Sequence, residues 1–225
     1  MNTQLFKVVT TGIGPDAIQT ALNETPHDSH FGEVYRHRSM SRFRVTDDGS
    51  VEQLPAMPLY QSNDINPLEG YGGIYRDYAE LPESLVAAPA FKQLVDVWLR
   101  TLPEGCETFS VHHIRTKAPG SPVPEGRHRD GYEFVGLCIL QRDGVDPKSG
   151  LTQFWNRESD ELIFEGVLGE GDFAIFDDRD HLHYTSEVTA EQKNGAGAGE
   201  ATAVRDVLIF TVPDHGQISP EYEVS

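Results

Sequence analysis

The segment Glu125-Gly126-Arg127-His128-Arg129-Asp130-Gly131 contains a His-x-Asp pair, and His183 lies 53 residues beyond Asp130 (183 − 130). Two imidazoles and one carboxylate on one face of an ion leave the opposite face open, which is the ligand set of non-haem Fe(II) oxygenases. In an extended segment residues i and i+2 project to the same side, so His128 and Asp130 can chelate one ion. An isolated pair of this kind is weak evidence, because a hydrogen-bonded surface loop gives the same text. The stretch Asp178-Arg179-Asp180-His181-Leu182-His183-Tyr184-Thr185 strengthens it. Period-two alternation there turns His181 and His183 to one side. One of them can complete a triad, and the other then belongs at the rim or behind a ligand.

An oxidising centre of this kind needs a source of two electrons. If that source is 2-oxoglutarate, its distal carboxylate needs a buried cation, and arginine offers a bidentate fork. After His183 the chain has only Lys193 and Arg205 as candidates. Arg205 opens the apolar run Val207-Leu208-Ile209-Phe210 and is the better placed. Its competing role is a plain ion pair with Asp206 or Glu200 at a strand end.

These side chains need a rigid frame, and the text from Cys106 onward supplies one. Short β-rich segments punctuated by Gly, Asp and Pro run over 106–117, 132–142, 150–156, 161–168, 172–177, 181–188 and 204–213. They predict a mainly β fold with flanking helices, a barrel or sandwich in a single domain, residues 106–213 forming the core and 1–105 a cover with a backing helix. That helix is Ala88 to Leu102, where Phe91, Leu94, Val95, Val97, Trp98 and Leu99 return to one broad face and Pro103 stops it. A shorter helix is expected over Pro15–Leu22, extended chain over Phe31–Val45, and loops over 47–50 and 63–73. The Gly/Ala tract 194–199 reads as a flexible surface insertion.

Composition narrows the partners. Thirty-six acidic against 18 basic residues give a net charge of −18, a surface that repels nucleic-acid phosphates and anionic membranes. The longest apolar run, Val135 to Leu140, is too short to span a bilayer. Cys106 and Cys138 are the only cysteines, and the first residues lack a basic start followed by a long apolar stretch. Free thiols in a reducing cytoplasm are expected. The oligomeric state is open, a homodimer being one option.

Taken in order, Pro124-Glu125-Gly126-Arg127-His128-Arg129-Asp130-Gly131, Gly150-Leu151-Thr152, Asp177-Asp178-Arg179, His183-Tyr184-Thr185 and Arg205-Asp206-Val207-Leu208 resemble a known family. It is the bacterial Fe(II)/2-oxoglutarate dioxygenases that hydroxylate free L-amino acids, of the L-isoleucine dioxygenase type. The resemblance covers roughly residues 30–215. It implies a double-stranded β-helix (jelly-roll, cupin-like), with His128, Asp130 and His183 holding Fe(II). Arg205, with Thr152, would bind 2-oxoglutarate, and O2 would be the oxidant. The implied reaction is oxidation of an unactivated C–H bond of a free amino acid or derivative in secondary metabolism. Hydroxylation is the default outcome, with desaturation or ring closure as variants. The 22-residue gap from His183 to Arg205 (205 − 183) is longer than is usual in that family, and the Gly/Ala tract accounts for it.

A free amino acid also needs a cation for its carboxylate and an acceptor for its ammonium. Val111, His113 and Arg115 share one side of a strand, so Arg115 is the expected carboxylate clamp, with His113 beside it, if that side faces the interior. Glu133 and Asp177 are candidate ammonium partners, and Trp155 a candidate stacking surface. Arg36, Arg38, Arg42 and Arg76 are candidates for a lid over the pocket. The rival from another class is a non-catalytic cupin-like protein that binds a small acid or a metal without turning over 2-oxoglutarate.

Overall fold

A computed structural model of the chain describes residues 5–15, 18–192 and 203–215. The Gly/Ala tract 194–199 and Lys193 lie outside them. Twelve strands run in chain order: β1 (Phe6–Thr10), β2 (Arg36–Val45), β3 (Val51–Leu54), β4 (Leu59–Tyr60), β5 (Tyr75–Arg76), β6 (Thr108–Lys117), β7 (Phe134–Asp143), β8 (Leu151–Asn156), β9 (Leu162–Val167), β10 (Asp172–Asp177), β11 (His181–Thr185) and β12 (Val204–Val212). Helices α1 (Gln19–Leu22) and α2 (Glu83–Val86) are single turns, and α3 (Pro89–Thr101) is the long one. Every β segment expected after Cys106 is a strand, and α3 falls within the expected 88–102.

Antiparallel pairing builds a seven-stranded sheet in the order β1-β10-β7-β12-β6-β2-β3 and a three-stranded sheet β11-β8-β9. This is the double-stranded β-helix. The N-terminal part is more than a cover, since β1, β2 and β3 extend the large sheet on both sides. The sequence text of β1 and β3 carries too little apolar alternation to announce them, and pairing with a neighbour supplies what propensity lacks.

The large sheet buries both faces, and side-chain alternation sorts residues between them. On one face Phe109, Val111, Cys138, Ile175, Leu208 and Phe210 pack against Phe91, Leu94, Val95 and Trp98 of α3. Gly136 permits this contact, because a Cβ there would lie 2.6 Å from Phe173 and 2.9 Å from Trp98. On the other face Met40, Val135, Leu137, Ala174, Phe176 and Val207 meet Phe154 from the small sheet. The cavity opens on this inner side. No helix among the described residues is long and apolar enough to cross a membrane. Cys106 and Cys138 are free thiols.

Candidate active site and metal centre

His128 and Asp130 sit in the loop before β7, and His183 sits in β11. A backbone bridge joins the two segments: the His128 amide donates to the His183 carbonyl at 3.0 Å, and the His183 amide to that of His128 at 2.9 Å. The imidazole centroids are therefore 4.3 Å apart. Asp130 Oδ1 lies 3.4 Å from His128 Nε2, and Oδ2 lies 3.5 Å from His183 Nε2. One ligand atom from each of the three residues falls within 4.8 Å of the others.

The residues fit a divalent ion. Asp130 Oδ2 is buried without a hydrogen-bond partner, the state of a lone pair awaiting a cation. His128 Nδ1 donates to the Gly126 carbonyl at 3.0 Å, which fixes the tautomer that leaves Nε2 free to ligate. Phe154 stacks on His183 at 5.9 Å and Phe176 meets its edge at 5.2 Å, so the ring cannot swing. His181 lies outside this cluster: its Nδ1 donates to the Asp177 carbonyl at 2.7 Å, and its ring lies against Phe6 and Phe176.

Two side chains hold the ligand loop from outside. Fully buried Asp178 accepts the backbone amides of Asp130, Gly131 and Tyr132 at 3.1, 2.8 and 3.0 Å. The loop can present those amides because Gly131 adopts φ 88°, and a Cβ there would sit 3.0 Å from Ile65. Burial and the charge of Asp130 push Asp178 up to about 6. Gln61 donates to the Asp130 carbonyl at 2.8 Å and accepts from Arg76 Nη2 at 2.6 Å. Asp178 stands in the Asp177-Asp178-Arg179 motif with no role of its own assigned there, and nothing in the sequence announces Gln61.

The two clustered imidazoles titrate in opposite directions. Burial lowers His128, but the hydrogen bond and charge of Asp130 outweigh it and raise the group to about 9. Burial and the facing His128 push His183 down to about 3. Despite its burial, Asp130 is held well below the usual carboxylate range by these two histidines. At pH 7 the metal-free site therefore carries one proton, on His128, that an incoming ion must displace. Titrating metal-free protein with Fe(II) at pH 7 should release about one proton per ion, and affinity should rise about tenfold per pH unit up to about 9. Affinity that stays flat between about pH 6 and 8 would contradict this assignment.

Arg205 comes from the inner face of β12 and lines the same cavity as the three ligands. It is 5% exposed, its Nε has no partner, and burial, with the charge of Arg142, lowers it to about 9. It does not pair with Asp206, whose side chain turns to the opposite face. Thr152 is buried and reaches the cavity only through Thr185, its Oγ1 lying 3.1 Å from that of Thr185.

The expected substrate residues fall elsewhere. On β6 the parity is the reverse of that needed: His112 and Ile114 line the cavity, whereas Val111 packs under α3. Arg115 is bound to Asp206 through Nε at 2.8 Å and Nη2 at 3.0 Å, and its Nη1 donates to Asn23 at 2.7 Å. His113 is locked between Asp206 at 2.8 Å and Thr25 at 2.6 Å. Glu133 is exposed and lies 3.6 Å from Arg179. Arg179 also holds Asp177, and Trp155 lies under the Arg127 guanidinium at 4.8 Å. None of these lines the cavity.

Of the expected lid arginines, Arg36 and Arg38 line the cavity, while Arg42 is tied to Asp214. Arg76 is buried, with its guanidinium 3.9 Å from the centre of the Tyr71 ring.

Comparison with solved structures places this frame among known folds. The chain superposes on a BsmA homologue from Methylobium petroleophilum PM1 with a TM-score of 0.75 at 24% identity, covering 96% of this chain and 91% of that one. It superposes on IDO from Bacillus thuringiensis with a TM-score of 0.68 at 17% identity, covering 92% of each. The Fe(II)/α-ketoglutarate-dependent dioxygenase TqaL gives 0.66 at 17% identity, covering 92% of this chain and 81% of that one. At these identities the likeness is one of fold. A search of curated proteins by sequence finds no match. A model of the 2OG-Fe dioxygenase family matches residues 19–211, most of the chain. With a His-Asp-His cluster and a buried arginine in one cavity of a double-stranded β-helix, the chain belongs to the 2OG-Fe dioxygenase family, oxidoreductases that use Fe(II), 2-oxoglutarate and O2.

Proposed function

We propose that this enzyme oxidises an unactivated C–H bond of a free L-amino acid, most simply by hydroxylation, in secondary metabolism. His128, Asp130 and His183 hold the iron, and Arg205 holds the distal carboxylate of 2-oxoglutarate. The observation that carries this reading is that Arg205 and the three ligands line one cavity. With iron bound, 2-oxoglutarate loses CO2 to become succinate, one atom of O2 entering its new carboxylate and the other the substrate.

The protein's own part is positioning. Arg205 is pre-oriented in a buried strand, so its fork meets a carboxylate without reorganisation. Leu137, Val207 and Ile209 line the same cavity and keep water from the reacting carbon. The unbroken large sheet, with strands from both ends of the chain, supports a single oxygenase domain. Two free thiols suit a reducing cytoplasm.

The test is incubation with Fe(II), 2-oxoglutarate, O2 and each free L-amino acid or non-protein analogue. Succinate should form together with a product 16 mass units heavier, or two lighter if the substrate is desaturated or cyclised. Failure of every amino acid to stimulate succinate formation would sink the assignment. Arg205→Met should raise KM for 2-oxoglutarate about 30-fold, the loss of one buried charge-assisted contact. An unchanged KM would remove Arg205 from the role.

A further inference from the structure

The inner edge of the cavity holds more positive charge than the described residues neutralise. Arg36 and Arg38 project from the inner face of β2, and Arg76 lies behind them against Tyr71. One carboxylate, Asp28, serves this group. It sits 3.5 Å from Arg36 Nε and accepts the Tyr71 hydroxyl at 3.1 Å. Arg76 meets the Tyr71 ring and Gln61, leaves Nε and Nη1 without partners, and does not line the cavity.

Arg38 is different. Its Nη2 donates to His112 Nδ1 at 3.0 Å, its Nη1 donates to Tyr71 Oη at 3.2 Å, and its Nε has no partner. The guanidinium is 4.6 Å from the centre of the Tyr78 ring, and the residue is 8% exposed. No carboxylate among the described residues pairs with it.

The supports that orient it are neutral. Because His112 Nδ1 accepts from Arg38, Nε2 carries the ring's hydrogen and donates to Ser110 Oγ at 2.9 Å, which lies 2.6 Å from Thr211 Oγ1. A guanidinium so buried, in direct contact only with neutral groups and with Asp28 and Asp130 beyond pairing distance, keeps a donor free for an anion. The co-substrate already has Arg205, so the anion belongs to the substrate.

Glu125 supplies the opposite sign. Its side chain is 12% exposed and lines the same cavity, and its nearest basic group is His128 Nε2 at 3.8 Å. No arginine or lysine among the described residues pairs with the Glu125 carboxylate, which leaves it available to an ammonium group.

We propose that Arg38 clamps the substrate's α-carboxylate and Glu125 receives its α-ammonium. The enzyme then takes free zwitterionic amino acids and rejects amidated, N-acylated or carrier-bound ones. The inference rests on the amino-acid reading above and replaces Arg115 with Arg38 in the clamp role.

The experiment compares the L-amino acid giving most succinate with its carboxamide and its N-acetyl derivative, on wild type first. Each blocked derivative should lose about 30-fold or more in kcat/KM. Arg38→Met should raise the substrate's KM by a similar factor while KM for 2-oxoglutarate stays unchanged, and should abolish the preference for acid over amide. Arg38→Lys should recover part of that preference, and Glu125→Gln should abolish the preference for free over acetylated amine.

Equal turnover of acid and amide by wild type overturns the clamp while the amino-acid reading stands, and needs no variant that folds. A rise in KM for 2-oxoglutarate instead of substrate in Arg38→Met overturns it too, assigning Arg38 to the co-substrate. Absence of turnover with any amino acid overturns both readings.

Discussion

Asp130→Asn protein should fold and fail to form succinate, with Fe(II) bound at least about 100-fold more weakly, since losing a ligand exceeds the penalty for disturbing its supports. Asp130 is the only anionic member of the triad and faces both imidazoles, at 3.4 and 3.5 Å. An amide removes the charge and leaves a weaker oxygen donor. The fold should tolerate the change, because Oδ2 makes no hydrogen bond and the loop is fixed through backbone amides to Asp178. Iron content under chelator competition and the melting temperature of metal-free protein separate these effects. An Asn variant that keeps stoichiometric iron and turns over would remove Asp130 from the centre.

Asp206→Ala should cost about 3–5 kcal/mol of stability, the scale for breaking a buried pair and stranding its partner. The Asp206 side chain is fully buried and accepts from Arg115 twice and from His113 once. Alanine leaves a nearly buried guanidinium facing the vacated space. An exposed pair of the same composition would contribute under about 1 kcal/mol, so the magnitude itself discriminates. Urea unfolding of metal-free protein measures it, with a loss under about 1 kcal/mol refuting the assignment. Burial raises the Asp206 carboxyl, but the hydrogen bonds from His113 and Arg115 outweigh it and hold the group below its usual value. Its contribution is therefore present above the unfolded-state value and lost as pH falls through the depressed folded value. In whichever assay the protein remains folded, Arg115 variants should change stability and leave the substrate's KM alone.

Arg115 shows where sequence reading stopped. Its strand was legible, and so was the alternation that groups Val111, His113 and Arg115. Which side faces the cavity depends on where α3 docks, and Phe109 and Val111 go to that helix. The same apolar i, i+2 pair, matched to the apolar face of the helix, is the signal that could have assigned the parity. Arg38 was visible as one of a scarce set of basic residues, but its environment of His112, Tyr71 and Tyr78 comes from segments 33 to 74 residues away in the chain.

The sequence by itself determined the strands of the core, the backing helix and the candidate ligands His128, Asp130 and one of His181 and His183, because these depend on local periodicity and on residue chemistry that few arrangements can use. Tertiary structure alone decided which of His181 and His183 joins His128 and Asp130 in one cluster, through the bridge between His128 and His183. It also decided that Asp206 spends its charge on Arg115 while Arg205 keeps its own for the cavity. Neighbours on a strand point to opposite faces, and only packing tells which face is inside.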